Sequence, residues 1–514
     1  MKPFSLSVKN GLVADGTGAP LQKTNIYVSG NKIAKITPED LPAERVIDAA
    51  GHIVAPGFID MHTHSDGSPF SAPGFESCLH QGVTACIGGN CGSSPVPRAP
   101  LDDKGNARWH TVPGYLAAAT GACADNIGTL TGHGTLRNRC MADPRRTLPT
   151  PEELRAMQDL LRAQLEEGSF GLSCGLEYVP GLYAETEELI ALGRVTAEYD
   201  RLMAFHMRNE DVRVEEAVDE VLRIARESGV HVHISHLKVE YAEVPGRLQK
   251  ILDKIEKARA EGLRVTMDVY PYAACSTSFS PQLPPDMRIP VAEAVKLYAD
   301  DAAFDGLRPY VEAFFRRRQG PEKIGIAYTA GVHPELDGLT FDKAAERLGL
   351  SVVDAYRKIM VDCRFRVTAI YYAMEESDVM TLLRRPDVSV ISDSTATDFR
   401  SGTVKGVPHP RAFGSFARFL RLNREYNLLP WEQAIQKITS LPADTLGIAD
   451  RGRLLEGNFA DIAVFDPETV GDTGTYTAPA QPAVGFLCTV LNGQIAMENG
   501  EFTGCKAGMG LRAR

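Results

Sequence analysis

The stretch that decides the fold is residues 54–64, VAPGFIDMHTH, in which an apolar run ends in two histidines separated by one residue. Side chains at positions i and i+2 of a β-strand point to the same face, so we expect His62 and His64 to project together from the strand end. Two convergent imidazoles supply half of the ligands that a metal site needs. The stretch therefore predicts a buried strand that carries metal ligands at its C-terminal end.

Seven further apolar segments look like strands, and most alternate with helix patterns. The eight candidate strands are 58–62, 83–88, 127–132, 170–173, 202–206, 230–236, 265–270 and 388–393. Strand–helix alternation at this count predicts an α/β fold of the TIM-like (β/α)8 barrel type. A doubly wound open sheet is the alternative, although the sequence has no glycine-rich phosphate loop to support it.

The clearest helix pattern covers residues 150–167. Thr150 is a good N-cap, Glu153 completes a capping box with it, and Gly168 ends the pattern. A second helix is predicted from about 212 to 228.

Both ends of the chain contain patterns of short β-strands. Residues 1–56 and 445–514 read as short strands joined by turns, which predicts one small β-sandwich domain built from both termini. The barrel is then expected over 57–444. More than a hundred residues separate its last two strands, so we expect an inserted lobe at about 282–345.

The composition is that of a globular protein of 514 residues, with 44% hydrophobic and 24% charged residues. The net charge of −11 argues against nucleic acid or an anionic membrane as a partner. The first ten residues have no signal-peptide core, and no apolar stretch reaches the roughly 20 residues of a membrane span. The ten cysteines have no paired spacing, so we expect a cytoplasmic protein with reduced thiols. A homo-oligomer is compatible with the sequence.

Metal-ligand residues follow six of the eight candidate strands. They are His62, His64, Cys91, Glu177, His206, His236 and Asp393. Because barrel enzymes gather their chemistry at the C-terminal strand ends, this set predicts one metal-dependent active site.

The order of these motifs resembles the amidohydrolase superfamily, and within it the N-acyl-D-amino-acid deacylases, or D-aminoacylases. The matching pieces are 56–64 (PGFIDMHTH), 89–92 (GNCG), 171–178 (GLSCGLEY), 235–238 (SHLK), 270–272 (YPY), 409–411 (HPR) and 458–466 (NFADIAVFD). The resemblance covers nearly the whole chain.

The resemblance implies one or two zinc ions. The tightly held zinc would be bound by Cys91, His206 and His236. An adjacent second site would be formed by His62, His64 and Asp393. Other branches of the superfamily bridge two metals with a carboxylated lysine, but this sequence has no lysine between Lys104 and Lys238. Glu177 would bridge the two metals instead, or else it would be a solvent-exposed acidic residue of a loop.

The resemblance also implies the reaction. It is hydrolysis of the amide bond of an N-acyl-D-amino acid, or of a dipeptide containing a D-residue, by metal-activated water with Asp393 as the proton shuttle. One alternative is a cyclic-amide hydrolase of the dihydroorotase or hydantoinase type. The other alternative is a scaffold without catalytic activity.

The implied substrate is a small molecule with a carboxylate, which needs a cation in its pocket. Candidate cations are Arg208, Lys238 and Arg411. The resemblance adds further substrate-binding residues, which are Tyr178, Tyr270 and Ser276. Asp66 and Ser394 stand where the family often carries other residues, which affects the identity of the substrate more than the type of reaction.

Overall fold

The computed structural model describes residues 3–97, 109–241, 246–280, 282–284, 287, 289–400 and 402–514. Within the predicted ranges 1–56 and 282–345, residues 1, 2, 285, 286 and 288 therefore lie outside the described residues.

The elements alternate between strands and helices through the middle of the chain. The strands are β1 Phe4–Lys9, β2 Leu12–Val13, β3 Gln22–Lys23, β4 Asn25–Ser29, β5 Lys32–Thr37, β6 Ala43–Asp48, β7 Ile53–Pro56, β8 Phe58–Asp60, β9 Val83–Gly88, β10 Asn126–Thr129, β11 Thr131–Gly132, β12 Gly171–Gly175, β13 Leu202–His206, β14 His231–Ile234, β15 Val265–Val269, β16 Cys275–Ser278, β17 Ile324–Tyr328, β18 Thr368–Tyr371, β19 Val388–Val390, β20 Ile462–Phe465, β21 Phe486–Leu491, β22 Gln494–Glu498 and β23 Glu501–Phe502. The α-helices are α1 Ser68–Ser71, α2 Glu76–Leu79, α3 Val112–Ala119, α4 His133–Cys140, α5 Pro151–Glu166, α6 Thr186–Glu198, α7 Val214–Ser228, α8 Arg247–Ala260, α9 Val291–Ala299, α10 Asp301–Arg317, α11 Phe341–Leu348, α12 Val352–Asp362, α13 Glu376–Arg384, α14 Arg411–Tyr426, α15 Trp431–Ile438 and α16 Ser440–Leu446.

Eight parallel strand positions close into a barrel. The first three are β8, β9 and the pair β10 and β11, which together form one interrupted strand; β12, β13, β14, β15 and β19 follow in that order. The ring closes where Thr63 pairs in parallel with Ser394, just beyond β8 and β19. Each predicted barrel strand corresponds to a strand of the structure, within a few residues at each end.

The barrel strands are buried along nearly their whole length, as expected for parallel strands covered by helices. The predicted helix at 150–167 is confirmed as α5, and its capping box is present: Thr150 accepts from the backbone N–H of Glu153, whose side chain accepts from that of Thr150. The second predicted helix is α7, which ends at Gly229 in the left-handed conformation.

Strands from both chain ends form two further sheets. One has the order β5-β4-β1-β6, and the other has the order β23-β22-β21-β20-β7-β2-β3. The second sheet joins the chain ends directly, because β7 pairs antiparallel with β20. The two sheets share one apolar core, to which Val8, Ile26, Val54 and Ile462 all belong.

The chain reverses its direction within residues 490–495. The structure has a hairpin there, in which β21 ends at Leu491 and pairs with Gln494 at the start of β22. Asn492 and Gly493 form the turn, with φ of 48° and 80°. Asn-Gly favours this two-residue turn because both positions need a positive φ.

The region between β15 and β19 carries its own sheet, of order β16-β18-β17, together with α9 to α12. Its core is rich in aromatic rings, including Phe279, Phe314 and Tyr356. Because β16 begins at Cys275 and β18 ends at Tyr371, this inserted region extends beyond the predicted 282–345 on both sides.

Among the described residues, no helix has both the length and the apolar character needed to cross a membrane.

Candidate active site

A cavity of about 670 Å³ opens at the C-terminal ends of the barrel strands. The barrel contributes metal-ligand residues to its wall, among them His64, Cys91, His206, His236 and Asp393. The inserted region contributes further lining residues, including Ser276, Arg318 and Tyr371. The site thus lies between the barrel and the inserted region.

Cys91, His206 and His236 converge at the base of this cavity. The Sγ atom of Cys91 lies 4.0 Å from Nδ1 of His206 and 3.6 Å from Nε2 of His236. The two ring nitrogens are 3.0 Å apart. The structure therefore brings together the three residues that the resemblance implied as a tightly held set.

The chain follows a restricted backbone path at three of the ligand positions. Cys91, His236 and Asp393 have φ values of 50°, 37° and 49°. Left-handed conformations are costly for residues other than glycine and concentrate at functional sites. Gly92, next to Cys91, has φ 80°, and a Cβ there would lie 2.7 Å from the backbone nitrogen of Gly175. Only glycine fits there without displacing the chain beside the thiol.

A second group of ligand atoms adjoins the first. It comprises His62, His64, Cys91 and Asp393, so Cys91 belongs to both groups. Nε2 of His62 lies 3.4 Å from Sγ of Cys91 and 3.4 Å from Oδ1 of Asp393. Nε2 of His64 lies 3.1 Å from the same carboxylate oxygen.

The first group fits a zinc ion. A tetrahedral Zn²⁺ with usual bond lengths separates a sulfur and a nitrogen ligand by roughly 3.6 Å, and two nitrogen ligands by roughly 3.3 Å. The observed separations of 3.6 and 4.0 Å for sulfur to nitrogen, and 3.0 Å for nitrogen to nitrogen, are close to these values. Thiolate and imidazole are also ligands that zinc favours.

The surroundings of Cys91 favour its thiolate form. Burial alone would raise the pKa of the thiol, but charge on His62 and hydrogen bonds with His206 and His236 hold that pKa well below its ordinary value. A thiolate is the form that binds a metal.

Asp268, which the sequence analysis did not select, supports both ligand groups from β15. Its carboxylate accepts a short hydrogen bond from the backbone N–H of His236, and its Oδ2 lies 3.7 Å from Nδ1 of His62. Oδ2 also lies 2.8 Å from Nε2 of His233. A buried acid in the otherwise apolar run 265–270 (VTMDVY) was the signal that could have identified it.

Glu210 is a second residue that the sequence analysis missed. Its Oε1 lies 3.1 Å from Nδ1 of His236, and its Oε2 lies 3.7 Å from Nε2 of His206. Oε2 also forms a 2.5 Å ion pair with Nζ of Lys238. Lys238 therefore lines the cavity, as expected, but it is already paired. Nothing in the sequence at Glu210 distinguished it from an exposed loop acid.

Glu177 does not lie between the two ligand groups. Its Oε2 is 3.2 Å from Nε2 of His206, whereas Cys91 and His236 face Nδ1 of the same ring. The expectation that Glu177 bridges two metals therefore lacks support from this geometry. Cys91 is the residue that the two groups share.

Arg411 is buried in the wall of the cavity beside Asp393. Its Nη1 lies 2.7 Å from Oδ2 of Asp393, and its Nη2 donates to the backbone carbonyl of Ser276 at 3.1 Å. Burial would raise the pKa of Asp393, but Arg411 and the neighbouring histidines hold that pKa well below its ordinary value. The guanidinium also lies 4.7 Å from the centroid of the Tyr270 ring.

Arg208, an expected substrate ligand, lies away from the residues that line the cavity. Its guanidinium pairs with Glu220 at 2.9 Å and donates to the carbonyls of Leu182 and Ala184. It does not belong to the described residues that line the cavity. Tyr178 does line it, with its ring 4.5 Å from that of His206 and its hydroxyl 3.0 Å from Oγ1 of Thr277.

The architecture and site agree with comparisons to known proteins. Residues 45–497 match the model of the amidohydrolase family. The chain belongs to the amidohydrolase family.

Among its relatives are characterised deacylases. The chain is similar to the N-acyl-D-glutamate deacylase of Alcaligenes xylosoxydans xylosoxydans, with 36% identity over 95% of this chain and 93% of that protein. It is also similar to the D-aminoacylase of the same organism, with 35% identity over 99% of this chain and 97% of that protein. The resemblance to the N-acyl-D-amino-acid deacylases, first seen in the motifs, is confirmed.

A solved structure has the same fold over its full length. It is the crystal structure of N-acyl-D-glutamate deacylase from Bordetella bronchiseptica, complexed with zinc and with a phosphonate inhibitor that mimics the tetrahedral intermediate of the reaction. The identity is 35%, the TM-score is 0.85, and each chain is covered completely.

Proposed function

We propose that this protein is a zinc-dependent amidohydrolase that cleaves the linear amide bond of N-acyl-D-amino acids, or of dipeptides that contain a D-residue. The observation that carries the proposal is the pair of ligand groups that share Cys91 at the base of a cavity of about 670 Å³. The near full-length similarity to deacylases of N-acyl-D-amino acids supports the choice of substrate.

Cys91, His206 and His236 would hold one zinc ion, and His62, His64 and Asp393 together with Cys91 would hold a second. When bound, zinc supplies a Lewis acid that lowers the pKa of water and polarises a carbonyl group. Glu210 would orient the His236 imidazole through its Nδ1, and Asp268 would orient the His62 imidazole through its Nδ1 while it fixes the backbone of His236.

Asp393 would transfer the proton. Arg411 binds its Oδ2, which leaves Oδ1 facing His62 and His64. Oδ1 would accept a proton from the attacking water and return it to the amide nitrogen as the carbon–nitrogen bond breaks. An amine is a poor leaving group until it has received that proton.

The α-carboxylate of the substrate would bind among Lys238, Tyr270, Ser276 and Arg411, which all line the cavity. The Tyr270 hydroxyl is buried and has no hydrogen-bond partner among the described residues, so it is available to donate to the substrate. The Ser276 hydroxyl already donates its one hydrogen to the carbonyl of Ala369 at 2.8 Å, so it would donate to the carboxylate only by giving up that bond. Tyr178 would pack against the acyl group.

The proposal also includes the division of the chain into domains. Residues 1–56 and 445–514 would form a small β-sandwich domain, and 57–444 would form the catalytic barrel with its inserted lobe. The two sheets that share one core support the first assignment. A cytoplasmic location and a homo-oligomeric state stay predictions.

The test is a substrate panel with zinc-loaded protein. It contains the N-acetyl derivatives of several D- and L-amino acids, D-residue dipeptides and hydantoin, and it measures amine release. We expect hydrolysis of the D-isomers, and roughly 10²-fold or greater loss of turnover in Asp393→Asn, which should keep most of the zinc held by Cys91, His206 and His236. Hydrolysis of hydantoin alone would instead identify a cyclic-amide hydrolase. Zinc binding without hydrolysis of any amide would identify a scaffold.

A further inference from the structure

One cation that lines the cavity, Arg318, has no carboxylate partner among the described residues. Arg318 directly follows α10 in the inserted region, and its side chain lines the cavity. Its Nε and Nη1 atoms are buried without a hydrogen-bond partner, and it forms no ion pair with any residue that the structure describes. Buried arginine side chains are usually paired, so this one needs a physical explanation.

The other cations that line the cavity have hydrogen-bond or ion-pair partners. Lys238 is paired with Glu210 at 2.5 Å, and Arg411 is paired with Asp393 at 2.7 Å. Lys405 is more exposed and donates to a backbone carbonyl at 3.3 Å. Arg318 therefore differs from Lys238 and Arg411 in having no carboxylate partner among the described residues.

Two aromatic rings hold the Arg318 guanidinium in position. Its central carbon lies 4.4 Å from the centroid of Phe314 and 5.0 Å from that of Tyr371. Aromatic faces attract a cation but accept no hydrogen bonds in the plane of the guanidinium. The donors are thus fixed in direction before a ligand arrives, which reduces the entropy that binding would cost.

Two carboxylates nearby do not neutralise Arg318 directly. Glu177 and Glu240 also line the cavity, but neither forms an ion pair with Arg318. The Glu240 carboxylate instead accepts from Sγ of Cys275 at 3.1 Å, and burial raises its pKa. The donors of Arg318 remain available to an anion that enters the cavity.

The position of Arg318 relates it to the proposed α-carboxylate site. Arg411 donates to the backbone carbonyl of Ser276 in β16. The preceding residue, Cys275, pairs across the sheet with Tyr371, whose ring lies under Arg318. The two guanidinium groups therefore contact adjacent strands of one sheet, Arg411 at Ser276 of β16 and Arg318 at Tyr371 of β18.

We propose that Arg318 binds the side-chain carboxylate of the substrate, so that the enzyme prefers N-acyl derivatives of acidic D-amino acids. This inference rests on the proposed function and adds the class of side chain to it. An acidic side chain would supply the anion that Arg318 lacks, whereas a neutral side chain would leave the buried guanidinium unpaired. Arg318 is then a specificity-determining residue, outside the group that transfers the proton.

The first measurement uses the unaltered enzyme loaded with zinc. We compare kcat/KM for N-acetyl-D-glutamate with that for N-acetyl-D-glutamine, which has nearly the same shape without the charge. We expect a preference for the acid of roughly ten- to a hundredfold, the factor that a charge-assisted hydrogen bond contributes. Equal rates, or faster hydrolysis of N-acetyl-D-glutamine, would overturn the proposal.

The second measurement uses Arg318→Met. We expect kcat/KM for N-acetyl-D-glutamate to fall roughly ten- to a hundredfold, with a much smaller change for N-acetyl-D-glutamine. Arg316→Met is the matched control, because Arg316 is exposed near the end of the same helix. An equal loss for both substrates would assign Arg318 a structural role and overturn the proposal.

The two hypotheses fail in different ways. If N-acetyl-D-leucine is hydrolysed but N-acetyl-D-glutamate is not, the proposed function holds and the role of Arg318 is refuted. If the zinc-loaded enzyme hydrolyses none of these N-acetyl-D-amino acids, the proposed function fails first, and the role of Arg318 fails with it.

Discussion

Nη1 of Arg411 lies 2.7 Å from Oδ2 of Asp393, and both side chains are buried in the wall of the cavity. The ion pair fixes one carboxylate oxygen and leaves the other directed toward His62 and His64. Arg411, which the sequence suggested as a substrate ligand, is therefore also expected to position Asp393, the proposed proton carrier.

Replacing Arg411 with methionine tests this relationship. We expect kcat to fall roughly ten- to a hundredfold, because Asp393 loses the group that fixes its orientation. Arg411→Lys should retain part of the rate. The measurement is steady-state kinetics together with zinc content, and an unchanged kcat with a raised KM would limit Arg411 to substrate binding.

Cys91→Ser should remove metal from both ligand groups, because both contain the Cys91 sulfur. A serine hydroxyl is a much poorer zinc ligand than a thiolate. We expect purified Cys91→Ser to contain far less zinc after dialysis than the unaltered protein, as measured by atomic emission. Cys505→Ser is the control, since Cys505 lies near the end of the chain outside both groups. A full zinc content in Cys91→Ser would exclude Cys91 as a shared ligand.

Asp268→Asn should weaken zinc binding without removing any ligand. The side-chain amide cannot accept hydrogen bonds on both sides, so the contacts to His236 and His62 cannot both persist. Loss of such an outer contact costs roughly ten- to a hundredfold in metal affinity. A chelator competition that gives the same zinc affinity as the unaltered protein would contradict this role.

Lys437→Met should lower stability without affecting the site. The Lys437 ammonium is buried and donates to the carbonyls of Leu382 and Leu383 at 3.0 Å and of Arg385 at 2.5 Å. Removing it leaves carbonyls at the end of α13 without a donor, at a cost of roughly 1–3 kcal/mol. We expect a lower melting temperature with unchanged zinc content, while the exposed Lys250→Met serves as the control. Identical melting curves would show that water replaces the ammonium.

The barrel strands, and the clustering of most candidate ligand residues, could be predicted from the sequence. Strand burial follows from local runs such as 54–64, and the ligands stand at fixed places after those strands. Parallel strands bring their C-terminal ends to one side, so this local information is enough to assemble the cluster.

Contacts that depend on the direction of a loop could not be predicted in the same way. Arg208 and Glu210 both follow β13, yet the first turns outward to Glu220 and the second turns inward to His236. The alternation of faces ends with the strand at His206, so spacing no longer indicates direction. Arg318 directly follows the helix α10 of the inserted region, whose packing no motif describes.

The pairing of β7 with β20 has a consequence for how the chain folds during synthesis. Pro56 pairs with Ile462, so the partner strand leaves the ribosome about 400 residues later. At usual translation rates of roughly 5–20 residues per second, β7 waits about 20–80 seconds for it. During this interval the barrel segment can assemble, while one edge of β7 stays without its partner. Ribosome-bound chains are therefore exposed to pairing with foreign strands at this edge until β20 arrives.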